Sequence, residues 1–100
     1  MAKKLTITNT RPSYETLWYF ETNSSQRTAL NNWLVMNNDK VTFDYDFQND
    51  GLVQVLEYTF TDDAIAEEFL AFVASGNLGG ASKEYNTSVG ITSTQTITEL

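Results

Sequence analysis

The alternation of apolar and polar residues from Val41 to Gln48 constrains the fold of this chain more than any other stretch. A period of two over eight residues is typical of a β-strand that buries one face. The apolar positions are Val41, Phe43, Tyr45 and Phe47, and the polar ones are Thr42, Asp44, Asp46 and Gln48. We therefore predict a strand with Phe43 inside and Asp44 in solvent.

The following residues predict that this strand is one half of a β-hairpin. Asn49, Asp50 and Gly51 form a turn cluster in which the glycine can adopt a positive φ. The stretch from Leu52 to Thr61 then alternates again: Leu56, Tyr58 and Phe60 share one face, and Val53, Val55 and Thr59 share the other. We expect helices to cover the aromatic face, because burying each large apolar side chain contributes roughly 1.5–3 kcal/mol.

An amphipathic helix is predicted before the hairpin. Asn23, Ser24 or Ser25 can cap its first turn, and it runs to about Asn37. The residues at helical spacing on its apolar side are Ala29, Leu30, Trp33, Leu34 and Met36. This face is expected to pack on the sheet.

A second amphipathic helix follows the hairpin. Thr61–Asp63 supplies a capping side chain, and Gly76 suits its C-terminal cap. Its apolar stripe consists of Ile65, Phe69, Phe72 and Val73. Replacing Phe43 or Phe69 by alanine is expected to cost about 3–5 kcal/mol, whereas Asp44→Ala should be nearly silent.

The two ends of the chain predict two further strands. Lys4–Asn9 and the threonine-rich Ile91–Ile97 are both rich in β-branched residues, and we expect the latter to face solvent or to form an edge. Gly79–Gly80 predicts a flexible break, after which Ala81–Ser88 forms a short third helix. The segment from Tyr14 to Glu21 is too short for its periodicity to decide between a helical turn and extended chain, and we favour extended chain.

This order of elements predicts a single α+β domain over residues 1–100. It is the order of a ferredoxin-like βαββαβ fold, in which helices cover one face of an antiparallel sheet. Val53 and Val55 would then leave apolar area on the uncovered face. Exposed apolar area of this kind favours self-association, so we expect a homo-oligomer.

The charge balance excludes several classes of partner. The chain has 13 acidic and 6 basic residues, a net charge of −7, and its basic residues are scattered. Scattered cations do not neutralise a row of phosphates, so neither nucleic acid nor an anionic membrane is an expected partner. No signal peptide and no apolar run of roughly 18 residues is visible, so we expect the protein to be made in the cytoplasm.

The absence of histidine and cysteine narrows the possible chemistry. Ser-His-Asp and Cys-His catalysis and the usual zinc and iron sites all need one of these residues. We therefore expect no enzyme and no cofactor. The enzymatic alternative is a small ferredoxin-like enzyme whose pocket, lined by Trp18, Tyr19, Trp33 and Tyr45, accepts a flat ligand.

Four residues around the predicted turn match part of a calcium-binding pattern. Asp46, Gln48, Asp50 and Glu57 fall at positions 1, 3, 5 and 12 of an EF-hand loop, with Gly51 at position 6. An EF-hand needs a helix on each side, whereas the residues before this turn alternate with a period of two. We favour a hairpin turn that carries exposed acidic side chains, and we expect no metal.

Three stretches carry a resemblance to a known group of proteins. They are Leu5–Ile7 through Thr10–Pro12, Asp50–Leu52 before an alternating strand, and Tyr85–Asn86 followed by Gly90–Thr92. Together they resemble a group of small, mostly uncharacterised proteins encoded by tailed phages of marine bacteria. The resemblance spans the whole chain and implies a phage context, but its motifs mark strand ends and turns and transfer no functional residue.

The resemblance, together with the acidic and cysteine-free composition, implies a structural or accessory protein of the phage particle. We expect a head-decoration, neck or tail subunit that is made in the host cytoplasm, carried in the virion and bound to itself and to other virion proteins. The alternative is a small binding module directed at a host protein, which could be equally small and acidic.

Overall fold

Four strands of eight residues form one antiparallel sheet in the computed structural model, which describes residues 2–75 and 78–100. They are β1 (Lys3–Thr10), β2 (Val41–Gln48), β3 (Val53–Phe60) and β4 (Thr92–Glu99). Their order across the sheet is β2-β3-β1-β4, and every neighbouring pair is antiparallel. The predicted antiparallel sheet is confirmed, and β2 and β4 form its edges.

Four helices connect the strands within the described residues: α1 (Tyr19–Thr22), α2 (Ser24–Met36), α3 (Asp63–Ser75) and α4 (Leu78–Val89). The predicted N-terminal caps of α2 and α3 are present. The Asn23 side-chain oxygen accepts the Gln26 backbone N–H at 3.3 Å, and an Asp62 carboxylate oxygen accepts that of Ile65 at 3.0 Å. The predicted C-terminal cap at Gly76 lies outside the described residues. No described helix combines the length and the apolar composition that crossing a bilayer requires.

Two stretches differ from their predictions. The Tyr14–Glu21 segment does not stay extended, because it ends in the single turn of α1. Glu21 stabilises that turn by accepting the Trp18 backbone N–H at 2.9 Å. The break predicted at Gly79–Gly80 is also wrong, since both glycines lie in the first turn of α4. Gly90, with a φ of +82°, follows the end of α4.

The core lies between the helices and one face of the sheet. Every buried strand residue belongs to this face, and α3 contributes three further buried residues. The core cluster consists of Leu5, Leu30, Val41, Leu56, Tyr58, Phe60, Ile65, Ala66 and Phe69. The predicted apolar faces of β3 and α3 are therefore confirmed, while in α2 the buried residue is Leu30 and Met36 is 81% exposed.

The edge strand β2 is less covered than its alternation predicts. Val41 is buried, but Phe43, Tyr45 and Phe47 are 38%, 60% and 47% exposed. All four point to the helix side of the sheet, since their register partners on β3 include the buried Tyr58. The helical layer reaches only the first residue of this strand. Alternation identifies the face of a side chain but not the depth at which it is buried.

We expect Phe43→Ala to cost about 1–2 kcal/mol, less than the value predicted from the sequence. The Phe43 ring keeps a partner in Tyr58, at 4.8 Å between centroids, but more than a third of the side chain is already exposed. Asp44→Ala should change the free energy of unfolding by less than about 0.5 kcal/mol, because that carboxylate faces solvent. Urea unfolding of both variants tests which side chains of β2 face the core. A larger loss for Asp44 would mean that the strand is out of register by one residue.

Candidate functional site

The side of the sheet opposite the helices, which we call the open face, carries sixteen side chains, four from each strand. All of them are half-buried or exposed. Nine are threonines: Thr6, Thr8 and Thr10 of β1, Thr42 of β2, Thr59 of β3, and Thr92, Thr94, Thr96 and Thr98 of β4. The other seven are Lys4, Asp44, Asp46, Gln48, Val53, Val55 and Glu57. Threonine presents both a methyl and a hydroxyl group, so this face offers apolar contact and hydrogen bonds over its whole width.

Threonines of the two strands β1 and β4 lie directly opposite one another. The three pairs are Thr6 with Thr96, Thr8 with Thr94 and Thr10 with Thr92. Threonine is stiff about χ1, and cross-strand threonine pairs stabilise a sheet. This half of the open face is therefore a regular surface of side chains with little conformational freedom to lose on contact with a partner.

The net negative charge of the open face lies at one edge. Lys4 and Glu57 form an ion pair at 2.7 Å, which neutralises the centre of the face. Asp44 and Asp46 carry the remaining charge, and both lie on the edge strand β2. The open face thus has an acidic edge and, at β4, a hydroxyl-rich edge.

The four calcium candidates do not converge on one point. Asp46 and Gln48 lie on β2, Asp50 lies in the turn, and Glu57 lies on β3, where it is paired with Lys4. Asp46 faces Val55 across the strands, so Glu57 is a diagonal neighbour of Asp46. Diagonal neighbours in an antiparallel sheet are typically about 7–8 Å apart. Strands flank the turn where an EF-hand needs helices. Among the described residues, no group of three or more acidic side chains is placed to hold a metal ion.

An exposed aromatic row runs along the helix side of β2. It consists of Phe43, Tyr45 and Phe47, with ring centroids 6.1 and 5.8 Å apart, and continues to Trp18 at 6.5 Å. The guanidinium of Arg11 stacks over Trp18 at 4.9 Å from the ring centroid. The aromatic row therefore presents apolar surface with a cation at one end.

A cavity of about 150 Å³ lies between the helix-facing side of the sheet and α1, α3 and α4. One end is apolar, lined by side chains such as Leu5, Leu30 and Phe69. The other end is polar and is lined by Asn9, Gln54, Ser82, Asn86, Ser93 and Gln95. None of the described side chains that line the cavity carries a charge.

The polar end begins with a row of three facing residues on neighbouring strands. Asn9 of β1 is opposite Gln54 of β3 on one side and Ser93 of β4 on the other. The Asn9 side-chain N–H donates to the Gln54 amide oxygen at 3.1 Å. The Asn9 side-chain oxygen is buried and has no hydrogen-bond partner among the described residues. A buried acceptor without a partner is costly.

The predicted aromatic pocket is only partly formed. Trp18 and Tyr19 line the cavity, as expected. Trp33 instead packs in the core, 5.3 Å from Phe69 between ring centroids, and Tyr45 belongs to the aromatic row. The four aromatic residues therefore do not surround one ligand.

The tyrosines of the cavity are held in their neutral form. Burial raises the pKa of Tyr58, and burial, partly offset by a hydrogen bond from Asn23, raises the pKa of Tyr19. The Tyr19 hydroxyl also donates to the side-chain oxygen of Gln26. Because a raised pKa disfavours the phenolate, neither tyrosine is set up to act as a base at neutral pH.

No protein-family model matches the chain, and no curated protein matches it. Among solved structures, that of Rv0793 from Mycobacterium tuberculosis matches with a TM-score of 0.43 and 17% sequence identity, over 98% of this chain and 95% of that chain.

Sequence reasoning missed both the threonine pairs and the polar end of the cavity. A signal for each was present. Threonine recurs at every second position from Thr6 to Thr10 and from Thr92 to Thr98, and the apolar alternation of Leu5 and Ile7 continues into the polar Asn9. A polar residue at a core-facing position of a strand indicates either a hydrogen-bonded network or a ligand.

Proposed function

We propose that the chain acts by protein–protein assembly, with two copies pairing through their open faces. We further propose that the pair is a structural or accessory subunit of a phage particle, such as a head-decoration, neck or tail subunit, as the resemblance to phage proteins implies. On this proposal it is made in the host cytoplasm and carried in the virion. The single observation that supports the assembly proposal is the open face itself. It is a complete side of the sheet, and it carries Val53 and Val55 on the inner strand β3.

We infer that the fold is ferredoxin-like. The strand order β2-β3-β1-β4 supports this assignment. One connection, through α2, leads from β1 to β2 past the intervening β3, and the other, through α3 and α4, leads from β3 to β4 past the intervening β1. Two interleaved split βαβ units of this kind define the ferredoxin-like arrangement, which leaves one face of the sheet without helices.

The size of the open face suits a dimer interface. Eight residues at about 3.3 Å each and four strands about 4.8 Å apart give a face of roughly 500 Å². Two copies would together bury about 1,000 Å², which is near the lower limit for a specific interface. Because the threonine and valine side chains are β-branched and stiff, ordering them on contact costs little entropy.

The charge distribution selects one orientation of the pair. A two-fold axis parallel to the strands sets β2 of one copy against β4 of the other, so that Asp44 and Asp46 face threonine hydroxyls. The same rotation sets β3 against β1, so that Val55 meets threonine methyl groups. An axis across the strands would set β2 against β2 and oppose like charges, which is unfavourable.

A second candidate function is a binding module directed at a host protein, and the aromatic row supports it. Phe43, Tyr45 and Phe47 are exposed on a rigid edge strand, and aromatic side chains are enriched at protein interfaces. This row lies outside the open face, so a pair of copies would keep it free for another protein.

We expect sedimentation equilibrium to give twice the 11.3 kDa mass of one chain at micromolar concentration. A single-chain mass up to millimolar concentration would contradict pairing, because an interface of this area should bind more tightly.

We also expect mass spectrometry to detect the chain in purified phage particles. A chain that is abundant in infected cells but absent from particles would exclude the virion role and favour the host-directed module.

A further inference from the structure

We propose that the segment Pro12–Trp18, which we call the strap, is a movable cover that one hydrogen bond from α4 holds closed. In the closed position, the Trp18 ring forms part of the cavity wall and packs against the end of the aromatic row. When the strap is released, it uncovers both while the sheet and the longer helices stay folded. Trp18 lies on the helix side of the sheet, opposite the open face, so this inference does not depend on the proposed pairing.

The buried residue of the strap lies outside the core. Trp18 is 6% exposed, but it belongs neither to the core cluster nor to the partly buried side chains that pack against that cluster. Its ring packs instead on Arg11, at 4.9 Å, and on Phe47, at 6.5 Å. The other strap residues are exposed, apart from the half-buried Thr16. Moving the strap therefore removes no side chain from the core cluster.

Arg11 gives the strap its folded shape. The Arg11 backbone N–H donates to the Leu52 carbonyl at 2.9 Å, which fixes this residue at the end of β1. The Arg11 guanidinium donates to the Thr16 carbonyl at 3.1 Å and stacks on the rings of Tyr14 and Trp18. These contacts fold the strap around one cation, but they do not attach it to the helices.

The Tyr85 hydroxyl attaches the strap to α4. It donates to the Leu17 carbonyl at 2.6 Å, across 68 positions of the sequence. Among the residues that the structure describes, this is the one hydrogen bond that joins the strap to any residue beyond α1. Segments with few buried contacts open locally before the core unfolds. Breaking the Tyr85 bond should therefore shift the strap toward the released position.

Release of the strap changes two surfaces together. The cavity loses the part of its wall that Trp18 forms, and the aromatic row gains the side of Phe47 that Trp18 covers. The position of the strap therefore controls how much apolar surface the helix side of the protein presents to a partner.

The urea dependence of two signals tests the proposal. The chain has two tryptophans, so in a Trp33→Phe background fluorescence reports on Trp18 alone, while circular dichroism reports on the helices and the sheet. Tyr85→Phe keeps the ring and removes the hydrogen bond to Leu17. We expect it to raise the ratio of released to closed strap about fivefold, the effect of one hydrogen bond. The fluorescence transition should then occur at lower urea concentration than the circular dichroism transition.

Tyr14→Phe is the matched control, because it removes a hydroxyl from a strap tyrosine that is 58% exposed. It should leave the separation between the two transitions as it is without the change. Fluorine NMR of the chain labelled with fluorotryptophan resolves the two indoles, so the same comparison can be made without Trp33→Phe. Transitions that coincide in Tyr85→Phe, or a separation of the same size in Tyr14→Phe, would overturn the proposal.

Discussion

Phe69→Ala is expected to lower the free energy of unfolding by about 3–5 kcal/mol. The Phe69 side chain is 3% exposed and lies at the centre of the core. Its ring is 4.7 Å from Tyr58, 5.3 Å from Trp33 and 5.5 Å from Phe60 between centroids, so it joins α3 to both β3 and α2. Truncation would remove all three ring contacts and enlarge the cavity next to it. Because a domain of this size has a total stability of roughly 5–15 kcal/mol, the variant should be close to unfolding.

Urea unfolding followed by circular dichroism measures this loss, and Glu68→Ala is the matched control. Glu68 is the preceding residue of α3 and is exposed, and glutamate and alanine both favour helices. The control should therefore stay within about 0.5 kcal/mol of the wild type. A loss below about 1 kcal/mol for Phe69→Ala would show that α3 does not dock on the sheet through this ring.

Val55→Asp is expected to weaken self-association at least a hundredfold. Val55 lies on a central strand, with Asp46 opposite it on β2 and Thr8 opposite it on β1. The new carboxylate would lie beside Asp46 and lose its hydration in the proposed interface, and unpaired buried charge costs several kcal/mol. Because Val55 is only half-buried in one copy, the fold itself should tolerate the change.

Sedimentation equilibrium over a range of concentrations compares this variant with two controls. Val55→Thr keeps the branched shape and should still pair. Val35→Asp adds the same charge on α2, where Val35 is 69% exposed and far from the open face, and should also pair. If Val55→Asp and Val35→Asp weaken association equally, net charge rather than the open face controls it, and the proposed interface is wrong.

Local periodicity accounts for the parts of the fold that the sequence predicted correctly. In β3, the residues Leu56, Tyr58 and Phe60 are buried because a pleated strand sends alternate side chains to one side. In α3, Ile65 and Phe69 are buried because residues four apart share a helix face. Each of these assignments depends on neighbouring residues along the chain alone.

The remaining features depend on contacts between distant parts of the chain. Phe43 follows the same alternation as Tyr58, but β2 is an edge strand that the helices do not reach, and no local pattern contains that information. Asn9 becomes part of a polar row only because the register brings Gln54 and Ser93 beside it. The two candidate sites, the open face and the cavity, are products of this register, so the sequence alone did not predict either as a site.

The two edges of the sheet differ in whether they can accept another strand. β2 carries Asp44 and Asp46, and charge on an edge strand discourages the addition of a further strand. From Thr92 to Thr98, β4 is uncharged and rich in β-branched residues. If a further strand adds to the sheet, we therefore expect it to add at β4. A contact between the β4 strands of two copies uses the same edge of both, so it closes at an eight-stranded sheet and does not propagate into a fibre.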